Sequence, residues 1–352
     1  MKLPAGNARK RTFGQHGHVL LACAIAIAGG LAAHAANFPA GLLAGAMVSV
    51  AVAALVGVPV AAPDILRRVA FLTVGATIGA SVSQETLASL PSWPVSLAAL
   101  ALSLVALMFA GPFALQRVFG YDHRTAVMAC VPGAFSFVLA FSDETGADTR
   151  RVAIIQTMRL AGLFVAIPLI LGATATVPTG DATLTERSSL PPLSLITLLA
   201  AALVGAWICR RIGVAAPEFI GAMLGGMVLS ASGVIDGAVP LAIAGPAFIA
   251  TGLVIGVRFA NIDRALFLKS LAAGVMVFAL SSGITASAAI VTAALLGEPF
   301  GKLWLAMAPG GLDSMAALAL ALGHDPAFVA GHQVLRFLGL SFVLPIILRR
   351  AL

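Results

Sequence analysis

Two arginines lie where arginine is costly. Arg159 and Arg336 fall inside apolar runs of a chain that otherwise keeps its basic residues between such runs. A guanidinium at the centre of a membrane helix costs at least about 2.5 kcal/mol, so each needs a partner, water or a function. Each follows a glutamine by three positions, which on a helix puts Gln156 beside Arg159 and Gln333 beside Arg336. Two such donor faces could converge on an anion such as a carboxylate. Alternatively, each arginine reaches a backbone carbonyl or an acid such as Asp148 or Asp325 and pins a loop. The spacing leaves both readings open.

Polar candidates cluster near two further interruptions. Pro132-Gly133 and Pro309-Gly310-Gly311 break apolar runs at 125–142 and 303–322, where proline removes a donor and glycine permits unusual dihedrals. Beside them stand Ser136 in the first run and Asp313 and Ser314 in the second, all candidate substrate contacts. Asp313 is the single acid in either run. It is a candidate for proton or cation coupling, or else the salt-bridge partner of Arg336 or Arg159. His332 could titrate near neutrality and join that coupling, or serve in packing. Cys23, Cys130 and Cys209 are isolated, and no metal-ligand spacing is present. No metal or cofactor is expected.

The elements that must hold these residues are membrane helices. Of 352 residues, 60% are hydrophobic and 10% charged, against roughly 25% charged in soluble domains. Mean hydropathy is +1.04. Apolar runs recur from residue 19 to the end and lack the alternation of barrel strands, so they read as helices. The net charge of +7 comes from short basic clusters between those runs, a topology signal and no footprint for nucleic acid. Lys2, Arg9, Lys10 and Arg11 followed by an apolar stretch ending Ala33-His34-Ala35 resemble a cleavable leader. A matching first helix in the second half argues for a retained span.

The chain is a duplication. Shifted by 177 positions, Pro132-Gly133 meets Pro309-Gly310, Gly146-x-Asp148 meets Gly323-x-Asp325, and Gln156-x-x-Arg159 meets Gln333-x-x-Arg336. After a one-residue offset, Gly45-Ala46-Met47 meets Gly221-Ala222-Met223. Each half holds six apolar segments. If all twelve span, the nineteen basic residues outside them divide twelve to seven. If the fifth segment of each half enters and leaves on one side, the division is seventeen to two, with only Arg187 and Lys302 outside. The positive-inside bias therefore favours an all-α integral membrane protein of two inverted-topology repeats, each with about five transmembrane helices and a re-entrant Pro-Gly hairpin. The expected organisation is a basic cytoplasmic segment 1–18, repeat 1 over 19–172, an extracytoplasmic linker 173–190 and repeat 2 over 191–352. Both termini would lie in the cytoplasm of a bacterial inner-membrane protein.

The doubled Pro132-Gly133-Ala134, Gly146-Ala147-Asp148, Val152 and Gln156-x-x-Arg159, repeated as Pro309-Gly310-Gly311, Gly323-His324-Asp325, Val329 and Gln333-x-x-Arg336, resembles the AbrB-type bacterial membrane duplication family over nearly the whole chain. Members carry labels such as AbrB family transcriptional regulator or ammonia monooxygenase. The resemblance implies a glutamate inside each hairpin, but Phe137 and Ser314 occupy those positions here.

These features point to an ion-coupled secondary transporter of a small, anionic solute, with one repeat's hairpin bundle moving against the other. The alternative is a membrane-embedded regulator of gene expression acting through a partner and not by DNA binding. The short extensions outside the runs favour transport. An enzyme is not expected, because a monooxygenase would need clustered His or carboxylate ligands and the six histidines are scattered. Expected partners are the lipid bilayer and the solute, with no direct nucleic acid; a homodimer is left open.

Overall fold

The computed structural model describes residues 6–82, 86, 90–132, 135–174, 188–214, 216–260 and 262–351. Among them are fourteen α-helices and no strand beyond one isolated bridge between Ser189 and Ala238. The helices are α1 (Gly6–Ala35), α2 (Gly41–Leu55), α3 (Asp64–Ala80), α4 (Trp93–Phe119), α5 (His123–Cys130), α6 (Phe135–Thr145) and α7 (Thr149–Thr174). They continue as α8 (Pro192–Arg211), α9 (Pro217–Ala231), α10 (Leu241–Gly256), α11 (Arg264–Leu296), α12 (Phe300–Met307), α13 (Leu312–Ala321) and α14 (Pro326–Ala351). Gly133 and most of the linker fall outside the described residues.

Among the described residues, six helices are long and apolar enough to cross a membrane, where the sequence suggested about ten. α2 and α9 have 15 residues each, about 22 Å at 1.5 Å per residue and short of a hydrocarbon layer. Large side chains such as Leu102, Phe109 and Phe113 on α4 and Leu193, Ile196 and Trp207 on α8 stand exposed, as expected of faces turned to lipid.

Helix pairings correspond between the halves. α1 packs on α2 as α8 packs on α9, α4 on α5 as α11 on α12, and α5 on α7 as α12 on α14. The major pairings fall into two groups, one of α1–α3 with α8–α10, the other of α4–α7 with α11–α14. Beyond incidental contacts, the groups meet where α13 and α14 touch α3 and where α7 touches α2. Each group thus takes a part of both halves, and both broken segments share one group. The expectation that one repeat's hairpin bundle would move against the other does not follow the packing, because α11 of the second half is wedged against α4 and α7 of the first.

The first group is joined backbone to backbone. A Cβ on Gly221 would collide with the backbone of Gly205 and Ala206, and one on Gly79 with the backbone of Met223 and Met227. Close approach of this kind gives van der Waals contact along whole helix faces, the main attraction available between helices in lipid. The buried Glu218 takes Arg210 of α8 and, at 3.7 Å, Arg68 of α3, tying three helices at one end.

The Gly-x-Asp motif is a stop and a start. Gly146 and Gly323 both have φ of 71°, and the next residues, Ala147 and His324, donate back to Ser142 and Ala319, a left-handed helix ending that suits glycine. Two residues beyond each glycine, Asp148 accepts from the Arg151 amide, and Asp325 from the Ala327 and Phe328 amides. Both are N-caps. Neither bonds Arg159 or Arg336, so that form of the loop-pinning reading is replaced by a capping role.

Candidate functional site

The fifth apolar segment of each half is a pair of short helices separated by a break at the proline. α5 ends at Cys130 and α6 begins at Phe135; α12 ends at Met307 and α13 begins at Leu312. The two C-caps, Val131 and Ala308, share φ of −56° with ψ of 122° and 135°. A helix stopped inside apolar surroundings leaves carbonyls without partners. In both halves glutamine and arginine supply them.

Gln156 Nε2 donates to Met128 O at 3.0 Å and Val131 O at 2.9 Å. Arg159 donates from Nη1 to Cys130 O at 3.1 Å, and from Nη2 to Val131 O and to Gln156 Oε1. In the second half Gln333 Nε2 reaches Leu305 O, Ala306 O and Ala308 O, while Arg336 donates to Ala308 O and Gly310 O. The carbonyl-pinning reading of the arginines is therefore realised in the geometry. It leaves each guanidinium with an Nε that is buried and has no partner.

The same side chains wall a cavity of about 750 Å³. Its inner wall carries Pro132, Phe135, Gln156 and Arg159 from the first half and Pro309, Gly310, Gly311, Asp313, Gln333 and Arg336 from the second. The facing wall comes from the other helix group: Asp64, Arg67 and Phe71 on α3, Ala216 before α9, and Val254, Val257 and Arg258 at the end of α10. The cavity lies between the two groups. Asp64 is 80% exposed at its mouth, whereas Arg159 and Arg336 are 3% and 5% exposed at its floor.

Charge in the cavity is predominantly positive. Arg67, Arg159, Arg258 and Arg336 face two acids, Asp64 and Asp313. Arg67 pairs with Asp64 at 3.3 Å. Arg258 stacks over the Phe135 ring at 5.3 Å and, among the described residues, has no carboxylate within ion-pair distance. Asp313 stands in the first turn of α13, where a carboxylate favours the helix dipole. No ion pair joins it to Arg159 or Arg336 among the described residues.

Seven sequence candidates with described side chains meet here: Gln156, Arg159, Gln333, Arg336, Asp313, Pro132 and Pro309, with Gly310 and Gly311 beside them. Others do not. Ser314 is fully buried outside the cavity lining with its hydroxyl unpartnered. His332 lies elsewhere, its Nε2 2.7 Å from Ser96 Oγ and its ring against Trp93 and Phe328. Ser136 belongs to α6, but its side chain is outside the described residues. Arg67 and Arg258 were missed because both sit in basic clusters at helix ends and have no arginine at the repeat-related position.

Six apolar helices of membrane-crossing length among the described residues and a cavity walled by arginines at two broken helices define a multi-pass helical membrane protein with an internal polar site. Residues 42–351 match the family described as transition state regulatory protein AbrB, and the chain belongs to that family. It is 29% identical over 299 residues to the Escherichia coli K12 protein named "Putative regulator AbrB", covering 81% of this chain and 83% of that one. It is 28% identical over 272 residues to the Bacillus subtilis 168 "Uncharacterized protein YhjN", covering 70% of this chain and 68% of the relative. Neither name describes an enzyme.

Proposed function

We propose that this chain is a secondary transporter of a small organic anion, with the arginine-walled cavity as its binding site. The carrying observation is that two helix breaks, both clasped by a glutamine and an arginine, form the floor of one positively charged cavity. Arginine on the last turns of α5 and α12 offsets the negative ends of those helices. The N-terminal ends of α6 and α13 are left turned to the breaks, where they favour an anion.

Inverted repeats in an inner membrane, with both broken segments re-entrant, are part of this reading. It draws support from the seventeen-to-two division of basic residues and from the matched helix pairings. Lys302, one of the two exceptions, is buried on α12 and bound to Glu298 at 2.9 Å, so its charge is neutralised locally. In this arrangement the mouth at Asp64 and Arg67 opens to the cytoplasm. The repeat-related wall of Ala40 and Phe248, counterparts of Ala216 and Phe71, encloses only about 70 Å³. Access alternates when the group carrying both breaks shifts against the glycine-joined group, closing one wall and opening the other.

The test is counterflow in proteoliposomes preloaded with candidate organic anions. Uptake by the wild-type chain, abolished in Arg336→Gln, supports transport; no exchange of any anion class, by protein that still melts cooperatively, overturns it. The relative's name favours a regulator as the second reading. A regulatory phenotype that persists in a solute-blind Arg336→Gln variant would favour that class.

A further inference from the structure

We infer that the cavity is built for an organic dianion whose charges are held on its two walls, one by Arg159 and Arg336 beside the breaks, the other by Arg67 and Arg258 on the facing wall. This rests on the transport reading and sharpens it to a substrate class, the aliphatic dicarboxylates.

The arginines form two sets on the two walls of the cavity. Arg159 and Arg336 lie within electrostatic range of each other, each ten residues inside its helix, which is about 15 Å from the helix start at 1.5 Å per residue. Arg258 lies within range of Arg67 and Asp313, and both arginines stand at helix ends, Arg67 in the first turn of α3 and Arg258 just after α10. The set beside the breaks has spent its terminal nitrogens on carbonyls and its Nε atoms are buried without a partner among the described residues, so it acts on an anion through its charge. In the facing set Arg67 holds Asp64, whereas Arg258 rests on the Phe135 ring.

Four guanidinium groups against two carboxylates leave two positive charges in a confined space. Uncompensated charge away from water is expensive. A monoanion would cancel one of them, and a compact dianion such as phosphate would satisfy one wall only. Much of the remaining lining is apolar, made by Phe71, Leu160, Val254, Val257 and Leu312. Such a lining suits a hydrocarbon spacer better than a sugar or an amide. The volume, within the roughly 300–1,000 Å³ of small-molecule sites, exceeds what a bare inorganic ion needs.

The experiment is binding to the purified full chain in nanodiscs, using unbranched dicarboxylates from succinate to adipate, monocarboxylates of matched length, and inorganic phosphate. Dicarboxylates should bind at least about tenfold tighter than matched monocarboxylates, the margin expected of one more charged hydrogen-bonded contact. Arg258→Gln should remove that margin, weakening dicarboxylates by at least about tenfold and monocarboxylates by less. Arg67→Gln tests the same wall should the first variant fail to fold. Equal affinity for mono- and dicarboxylates, equal losses for both in Arg258→Gln, or tightest binding of phosphate would overturn the two-walled site and leave anion transport standing. Failure of all three probe classes to bind would overturn it and count against transport as well.

Discussion

Gln156 and Gln333, 177 positions apart, each place Nε2 against the carbonyl that closes a broken helix, Val131 O at 2.9 Å and Ala308 O at 3.1 Å. One amide thus satisfies two carbonyls in the first half and three in the second. That asymmetry ranks the two residues. Because Arg336 still reaches Ala308 O and Arg159 still reaches Val131 O, replacing Gln333 by leucine leaves two buried acceptors unpaired, Leu305 O and Ala306 O, and Gln156→Leu leaves one, Met128 O, at about 1–3 kcal/mol for each acceptor that stays unsatisfied. Both variants should melt below the wild type in nanodiscs, with Gln333→Leu the lower.

The arginine clasp needs a fork and not merely a charge. Arg336 reaches Ala308 O and Gly310 O from two nitrogens, which a single ammonium cannot reproduce. Arg336→Lys should keep the cavity's charge yet lower thermal stability by an amount on the order of 1 kcal/mol. Its loss of anion exchange should exceed what that stability change explains, as measured by counterflow at a temperature well below both melts.

Repeat-related walls should differ in reach. Phe71 lines the large cavity and Phe248 the small one, so Phe71→Cys and Phe248→Cys carry the same chemical change on opposite sides. In oriented vesicles an impermeant thiol reagent should label Phe71→Cys from the cytoplasmic side at least about tenfold faster than it labels Phe248→Cys from either side. Equal labelling of both from one side would contradict the inverted arrangement.

Glycine positions supply a sharp contrast. A methyl on Gly221 would strike the backbone of Gly205 and Ala206, whereas one on Gly283 of α11 meets nothing within 4 Å. Gly221→Ala should cost about 1–3 kcal/mol or more through overpacking against backbone that cannot yield. Gly283→Ala should be neutral or gain up to about 1 kcal/mol of helix propensity. Thermal melts of the two variants side by side check this.

Much of the site was legible because its signals are rare in such a chain. An arginine or a Pro-Gly pair inside an apolar run stands out, and duplication doubled each signal, so Gln156, Arg159, Pro132 and their partners could be found without a structure. Asp148 and Asp325 were legible as repeated residues but not as caps, since capping depends on the left-handed turn at Gly146 and Gly323. Arg67 and Arg258 were hidden for a different reason. As helix-end arginines they look like every other topology signal, and only the packing of α3 and α10 against the broken segments brings them to the cavity. His332 shows the reverse error: a titratable side chain in a marked helix, held by Ser96 away from the cavity. The grouping of helices across the halves was equally invisible, because it depends on which faces meet and not on which segments are apolar.

Each clasp closes over a short stretch of chain. Arg159 follows Val131 by 28 positions and Gln333 follows Leu305 by 28, with the second short helix and a corner of three or four residues before the clasping one. During synthesis, an interrupted helix entering lipid is most vulnerable while its carbonyls lack donors. Here the donors arrive on the next long helix of the same half. Each half can therefore fasten its own broken helix without waiting for the other.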